Sequence, residues 1–458
     1  MAAEPGLWLR PPDDERGRRP RGPGAVDTGR RRNAVPRLAA RPVAGRTRIA
    51  VYALALTSFV GIVAVRGGPS LGDAYGVTAP TTALANGDLH AAAKASILPQ
   101  PPGYAWLAAP FVVVLRPVLG TPTWCDGRAP TVVRPLIPWC ARDQLASHRW
   151  FRSQALLGLL AWVVMVAGCV RLLRVAGAGR GLAEMLLVTA LAVIPAASDG
   201  IVQTFHPQDF VAVGLSAAAM GEAMLRRWVT AGVLFGLAFL CKQFALLALV
   251  ATLAAVPTGR TRVRMAGAAL AAVACGLLPF IVSDPSGTWR TVTAVDAHGV
   301  GSLTTGTLVG LTRLSESTKL VIARDGPVLL AVAMSVWARC RAHDRLLEPL
   351  PLIGLATACC AGRLLCEVWF ASYYLLAVSA LLLVLDLAAG RIPVWSVTWI
   401  ALTGVLVEQA GGLPTARWAA LCAFVAALAA TARGMHAVYV WTSAQPSLVP
   451  IPRPTVPV

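Results

Sequence analysis

Long apolar runs separated by short polar islands set the organisation of this chain. Beginning at Ile49, stretches rich in Leu, Ala and Val recur near 49–65, 153–175, 182–198, 210–225, 228–241, 243–256, 266–283, 326–338, 346–362, 370–387, 394–409 and 416–433. They are longer than strands and carry no period-two alternation, so the pattern predicts helices in lipid. The expected fold is all-α, a polytopic membrane protein of about twelve transmembrane helices.

Composition agrees. Of 458 residues, 56% are hydrophobic and 14% charged, and the mean hydropathy is +0.63, too apolar for an ordinary soluble globule. The net charge of +19 raises the question of nucleic acid. Its distribution answers against that, because twelve arginines precede Ile49 and most others form short clusters between apolar runs. Such clustering marks cytoplasmic loops. Residues 1–48 therefore read as a disordered basic cytoplasmic tail, 49–433 as the membrane domain and 434–458 as a Pro-rich cytoplasmic tail. With both termini inside, the protein is expected in the plasma membrane, in contact with lipid and not with nucleic acid.

The first anchor then crosses outward and leaves a long extracytoplasmic loop at 66–152. Within it, the run 104–119 contains Arg116 and two prolines and is shorter than the roughly 20 residues a span needs. If it crossed, Arg171, Arg174 and the later arginine clusters would fall outside. Reading it as an interfacial helix puts Arg226/Arg227, Arg260/Arg262/Arg264 and Arg339/Arg341/Arg345 inside. Cys125 and Cys140 lie in this loop, where an oxidising compartment would permit a disulfide; two unpaired thiols are the alternative. No Cys/His spacing suits zinc, and no metal site is read.

Lys242 interrupts the apolar stretch from Trp228 to Val256. Two helices of about 13 residues reach only about 20 Å, so the lysine would sit at a hairpin apex sunk below the outer surface. An ammonium there needs a partner or a watery niche and is a functional candidate; a structural ion pair with a carboxylate such as Glu367 is the alternative.

Three further polar islands face the same side. One runs from Ser198-Asp199 to His206, Gln208 and Asp209, in which the last two suit either ligand binding or capping of the next helix. A second is the loop from Asp284 to Arg324, which carries Arg313. A third holds Arg363, Glu367, Tyr373 and Tyr374. Arg363 and Glu367 are one helical turn apart, which also suits an internal ion pair, and the tyrosines also suit an interfacial belt.

Several segments together resemble a known family. They are GDAYG at Gly72–Gly76, the following ALANGDLHAAA, a Pro-Pro segment before an apolar patch, and GLAFLCKQ around Lys242. This layout over most of 49–433 is similar to the GT-C membrane glycosyltransferases. It is nearest to the polyprenyl-phosphate-sugar-dependent mannosyltransferases of glycosyltransferase family 87 and their actinobacterial relatives. The resemblance implies an enzyme that takes a sugar from a polyprenyl-phosphate donor and passes it to a glycan or glycolipid acceptor on the outer face. It implies Asp73 as general base, with Asp88 as substitute, and Lys242 beside the donor phosphate. Asp73 is followed by Ala74 where many such enzymes pair two acids, which speaks against a metal cofactor.

That chemistry suits the residues singled out on physical grounds. One carboxylate takes the proton of the attacking hydroxyl, and cations such as Lys242, Arg363 and Arg313 stabilise the departing phosphate. Tyr75, His206, Gln208, Asp209, Glu367 and Tyr373 are expected to contact substrate. The competing expectation is a multi-pass transporter or lipid flippase. Neither internal repeats nor interrupted helices in matching halves are evident in the sequence.

Overall fold

The computed structural model describes residues 43–66, 71–95, 101–119, 145–178, 181–202, 205–293, 305–306, 309, 312–410 and 416–443. Residues 1–42 and 444–458 fall outside these, as do Cys125 and Cys140, while 434–443, expected to open the C-terminal tail, continue the last helix. The described chain is built from helices: α1 (Gly45–Arg66), α2 (Leu71–Ala85), α3 (Leu89–Ala95), α4 (Gly103–Leu119), α5 (Leu145–Val175), α6 (Leu182–Val193), α7 (Pro195–Val202), α8 (Pro207–Met224), α9 (Trp228–Cys241), α10 (Ala245–Ala255), α11 (Gly259–Ser283), α12 (Pro285–Thr293), α13 (Glu316–Ala342), α14 (Pro349–Cys366), α15 (Leu375–Ala388), α16 (Val394–Ala410) and α17 (Ala416–Ser443). Thr305–Gly306 pairs antiparallel with Trp369–Phe370, which ties the second polar island to the third.

This is a polytopic membrane protein. Among the described residues, six helices are long and apolar enough to cross a bilayer, or seven if α6 and α7 form one bent span. Large apolar side chains such as Val60, Val114, Val282, Leu329 and Leu402 stand exposed, as expected where lipid is the solvent. The count stays below twelve because several apolar runs fold as shorter helices, α9, α10 and α15 among them. The helix breaks differ from the sequence expectation: α6 and α7 meet at Ile194-Pro195 with a 49° bend. Pro195 has no N–H to continue the ladder of α6.

Close glycine contacts give the helix directions. A side chain at Gly232 would strike Met265, one at Gly236 would strike Ala269, and one at Gly276 would strike Leu240. These pairs rise together, so α9 and α11 run parallel and α10 must run back between them. In the same way Gly214 meets Val164 and Met165 while Gly221 approaches Leu172, making α5 and α8 parallel. Gly354 meets Gly434 and Glu348 accepts from the Trp441 indole, making α14 and α17 antiparallel.

One end of the bundle is consequently rich in arginine. Arg174 holds the buried Glu184 through two bonds of 2.7 and 2.6 Å; Tyr52 also donates to Glu184, and Arg48 lies 3.9 Å away. Glu222 joins Arg171 and Arg227. Arg339 donates to the Pro257 carbonyl at 3.4 Å, and Arg345 pairs with Glu348 at 3.1 Å. The start of α1 and the end of α17 both lie at this end. Helix α4 stays at the other: Gly103 packs on Leu240, the Trp106 indole donates to the Gly276 carbonyl at 3.0 Å, and Val112 packs on Leu157.

Candidate functional site

The end opposite the arginines gathers four chain breaks. The first precedes α8. Pro207 occupies its first turn, where a missing N–H costs nothing, after Phe205 has taken a φ of +47°. A bulky residue rarely adopts that conformation, and such strain is held only where the surroundings impose it. The His206 N–H donates to the Gly200 carbonyl at 2.6 Å, and Phe205, His206, Gln208 and Asp209 are all buried.

The second break is Lys242. Its backbone is extended (φ −157°, ψ 134°) and ends α9, and the chain turns through Gln243 and Phe244 into α10. Helix α9, at 14 residues, rises about 21 Å, so the lysine sits at the apex of a hairpin shorter than the roughly 30 Å hydrocarbon core. The third break is the end of α14, where Arg363 occupies the last turn and Glu367 the cap. A cation there complements the exposed carbonyls of the helix terminus. The fourth is the 3-10 turn Ser372–Tyr374 that opens α15.

These breaks converge on one polar cluster. Lys242 Nζ lies 3.3 Å from Asp209 Oδ2, and His206 Nδ1 lies 3.5 Å from the same oxygen. Gln208 Nε2 meets His206 Nδ1 at 2.8 Å. The His206 ring stacks on Tyr373 at 4.0 Å, and Lys242 Nζ stands 5.5 Å from the Tyr373 centroid. Arg363 pairs with Glu367 and is flanked by the rings of Tyr374 at 4.6 Å and Phe244 at 5.7 Å. Its charge also reaches Asp209. Two carboxylates thus face two cations, with aromatic rings between them and little water contact.

Of the residues singled out in the sequence, His206, Gln208, Asp209, Lys242, Arg363, Glu367 and Tyr373 meet here. The Arg363–Glu367 pair is the internal ion pair that their spacing suits, while the partner of Lys242 is Asp209 and not Glu367, because the hairpin apex abuts the start of α8. Asp209 is no cap: its carboxylate accepts no backbone N–H among the described residues, and Gln208 turns to His206. Asp88 is exposed, and its Oδ1 accepts the Ala91 N–H at 2.8 Å, capping α3 outside the cluster. Arg313 is exposed. Asp73 and Tyr75 lie in the first turns of α2, and their side chains are outside the described residues.

Two contributors escaped the sequence reading. Phe244 flanks Arg363 together with Tyr374, which the sequence places in the third polar island. Tyr104, in the first turn of α4, is carried to the end of α9, next to Lys242 in sequence, because Gly103 lies against the Leu240 backbone. Its hydroxyl is buried, has no hydrogen-bond partner among the described residues, and lies within electrostatic reach of the Cys241 thiol. The signal was Pro-Pro-Gly-Tyr itself, a glycine that permits close approach followed by a hydroxyl. No group of three or more His, Cys, Asp or Glu suited to a metal occurs among the described residues. No protein-family model, curated protein or solved structure matches this chain.

Proposed function

We propose that the chain is an integral-membrane glycosyltransferase of GT-C type. It moves a sugar, mannose or a similar hexose or pentose, from polyprenyl phosphate to a cell-envelope acceptor at the outer face of the plasma membrane. The observation that carries this reading is the cluster of Lys242, Arg363, Asp209 and Tyr373 at the end opposite the arginines. The positive-inside rule assigns the arginine end, with both termini, to the cytoplasm. On this reading the shorter apolar helices join the long ones in a membrane domain of about twelve segments.

The proposed reaction is a single displacement. The acceptor oxygen bonds to the anomeric carbon as the bond from that carbon to the phosphate oxygen breaks, which inverts the configuration. The hydroxyl proton passes to a carboxylate, assigned to Asp73 on the family resemblance. The charge that collects on the leaving polyprenyl phosphate is met by Lys242 and Arg363. An ammonium has three donors and a guanidinium five, more than the described ion pairs use. No nucleotide sugar is needed, because phosphate is itself the leaving group.

A second reading, a transporter or flippase, is favoured by the bent α6–α7 pair and by the break at Lys242, since interrupted helices often build transport sites. Full-length protein in proteoliposomes separates the two. Polyprenyl phosphate carrying labelled sugar is supplied with envelope acceptors, and labelled free sugar is offered to parallel vesicles. The enzyme reading expects label in the acceptor fraction and release of bare polyprenyl phosphate. Uptake of free sugar, or movement of the labelled lipid between leaflets, with no transfer would replace it with the transporter.

A further inference from the structure

Two buried polar groups beside the cluster have no partner among the described residues: the Tyr104 hydroxyl and Asp209 Oδ1. Leaving such groups unsatisfied away from water is costly, and each one in a native structure calls for an explanation. They belong to different elements, α4 and α8, yet both elements meet the end of α9, where Gly103 lies against Leu240 and Lys242 pairs with Asp209 at 3.3 Å. Asp209 is 1% exposed and Tyr104 7%. Both are held in place, Asp209 by Lys242 and His206 on its other oxygen, and Tyr104 by the contact of Gly103 with Leu240.

The chemistry of the niche follows from its charges. Asp209 already meets Lys242 and His206 through its other oxygen, so its Oδ1 lacks only a hydrogen-bond donor and calls for no further cation. A carboxylate oxygen only accepts, and a phenol both donates and accepts. A neutral ligand with neighbouring hydroxyls satisfies both, donating one O–H to Asp209 and accepting from, or donating to, Tyr104 with another.

We propose that Tyr104 and Asp209 form a subsite for the hydroxyl groups of the transferred sugar, distinct from the phosphate-facing donors of Lys242 and Arg363. This assignment rests on the glycosyltransferase reading above and adds to it which side chains recognise the sugar. The sugar hydroxyls would displace no existing hydrogen bond of the Tyr104 hydroxyl or of Asp209 Oδ1.

Equilibrium binding to the full-length protein in nanodiscs tests this, with two probes: polyprenyl phosphate, and the same lipid carrying mannose. The expected result is that wild type binds the mannosyl lipid at least about tenfold more tightly than the bare lipid, a difference of about 1.4 kcal/mol. Tyr104→Phe removes most of that preference, leaves the affinity for the bare lipid as it was, and unfolds at the same temperature as wild type or higher, because it deletes an unsatisfied group. Asp209→Asn also loses the preference, while its hold on the bare lipid stays or tightens as Lys242 is freed. Should Asp209→Asn fail to fold, the Tyr104→Phe result alone decides.

Two outcomes overturn the assignment and are distinguishable. If both lipids bind equally, or the preference survives in Tyr104→Phe, the subsite is wrong and the glycosyltransferase reading stands. If wild type binds neither lipid, that reading falls and the subsite with it.

Discussion

The Lys242 ammonium and the Asp209 carboxylate meet 3.3 Å apart, each at the end of a different helix and each nearly shut off from solvent. Lys242 interrupts the most apolar stretch of the chain and Asp209 begins α8, 33 positions earlier (242 − 209). Either charge alone in that setting would be strongly disfavoured. Together they hold a polar point within the membrane end of the bundle, around which His206, Tyr373, Arg363 and Glu367 assemble.

The pair should behave as a unit in stability. Lys242→Met and Asp209→Leu each strand one buried charge, which costs about 3–5 kcal/mol. The double variant strands none and should recover most of that loss. Thermal unfolding of the four proteins in one detergent checks it. Additive losses in the double variant would mean that the two residues do not share an ion pair.

Gly103 should tolerate no side chain. A Cβ there would stand 2.6 Å from the Leu240 carbonyl carbon and 2.7 Å from its oxygen, so Gly103→Ala must push α4 off the hairpin apex, and overpacking of this kind costs about 1–3 kcal/mol. Gly267→Ala, in the middle of α11 with nothing within 4 Å, should be neutral or stabilising by up to about 1 kcal/mol. Unfolding midpoints of the two variants should move in opposite directions, and Gly103→Ala should also depress sugar transfer.

A second buried ion pair has a different role. Asp386 is held by Arg433 at 2.5 Å and by the Ser396 hydroxyl, joining α15, α16 and α17 away from the polar cluster. Asp386→Ala should destabilise the protein by about 3–5 kcal/mol through the stranded arginine, with transfer per folded molecule unchanged. Arg363→Ala should cut transfer even at temperatures where the variant is fully folded. Equal specific activities of these two variants would remove Arg363 from the site.

Much of the cluster was legible because its members break the apolar pattern. Lys242, His206 and Arg363 each interrupt or bound a greasy run, and the alternation of spans assigned all three to one end before any contact was known. The partner of Lys242 was not legible. Glu367 was the carboxylate named for Lys242 and Asp209 read as a ligand contact or a cap; only the hairpin of α9 and α10 brings the lysine to the start of α8. Tyr104 escaped for a related reason: α4 reads as a surface helix by its length, while the contact that buries its first turn depends on a glycine meeting a distant backbone. The Ile194-Pro195 bend was visible as a proline within an apolar run, yet hydropathy alone merges the two arms into one span.

The most direct test is the rate at which purified Lys242→Ala transfers labelled sugar from polyprenyl phosphate to acceptor, compared with wild type at equal amounts of folded protein. If the lysine stabilises the departing phosphate, the variant should lose at least about 100-fold in rate, the usual penalty for deleting one electrostatic donor. Transfer at the wild-type rate would contradict the assignment of this cluster as the catalytic centre.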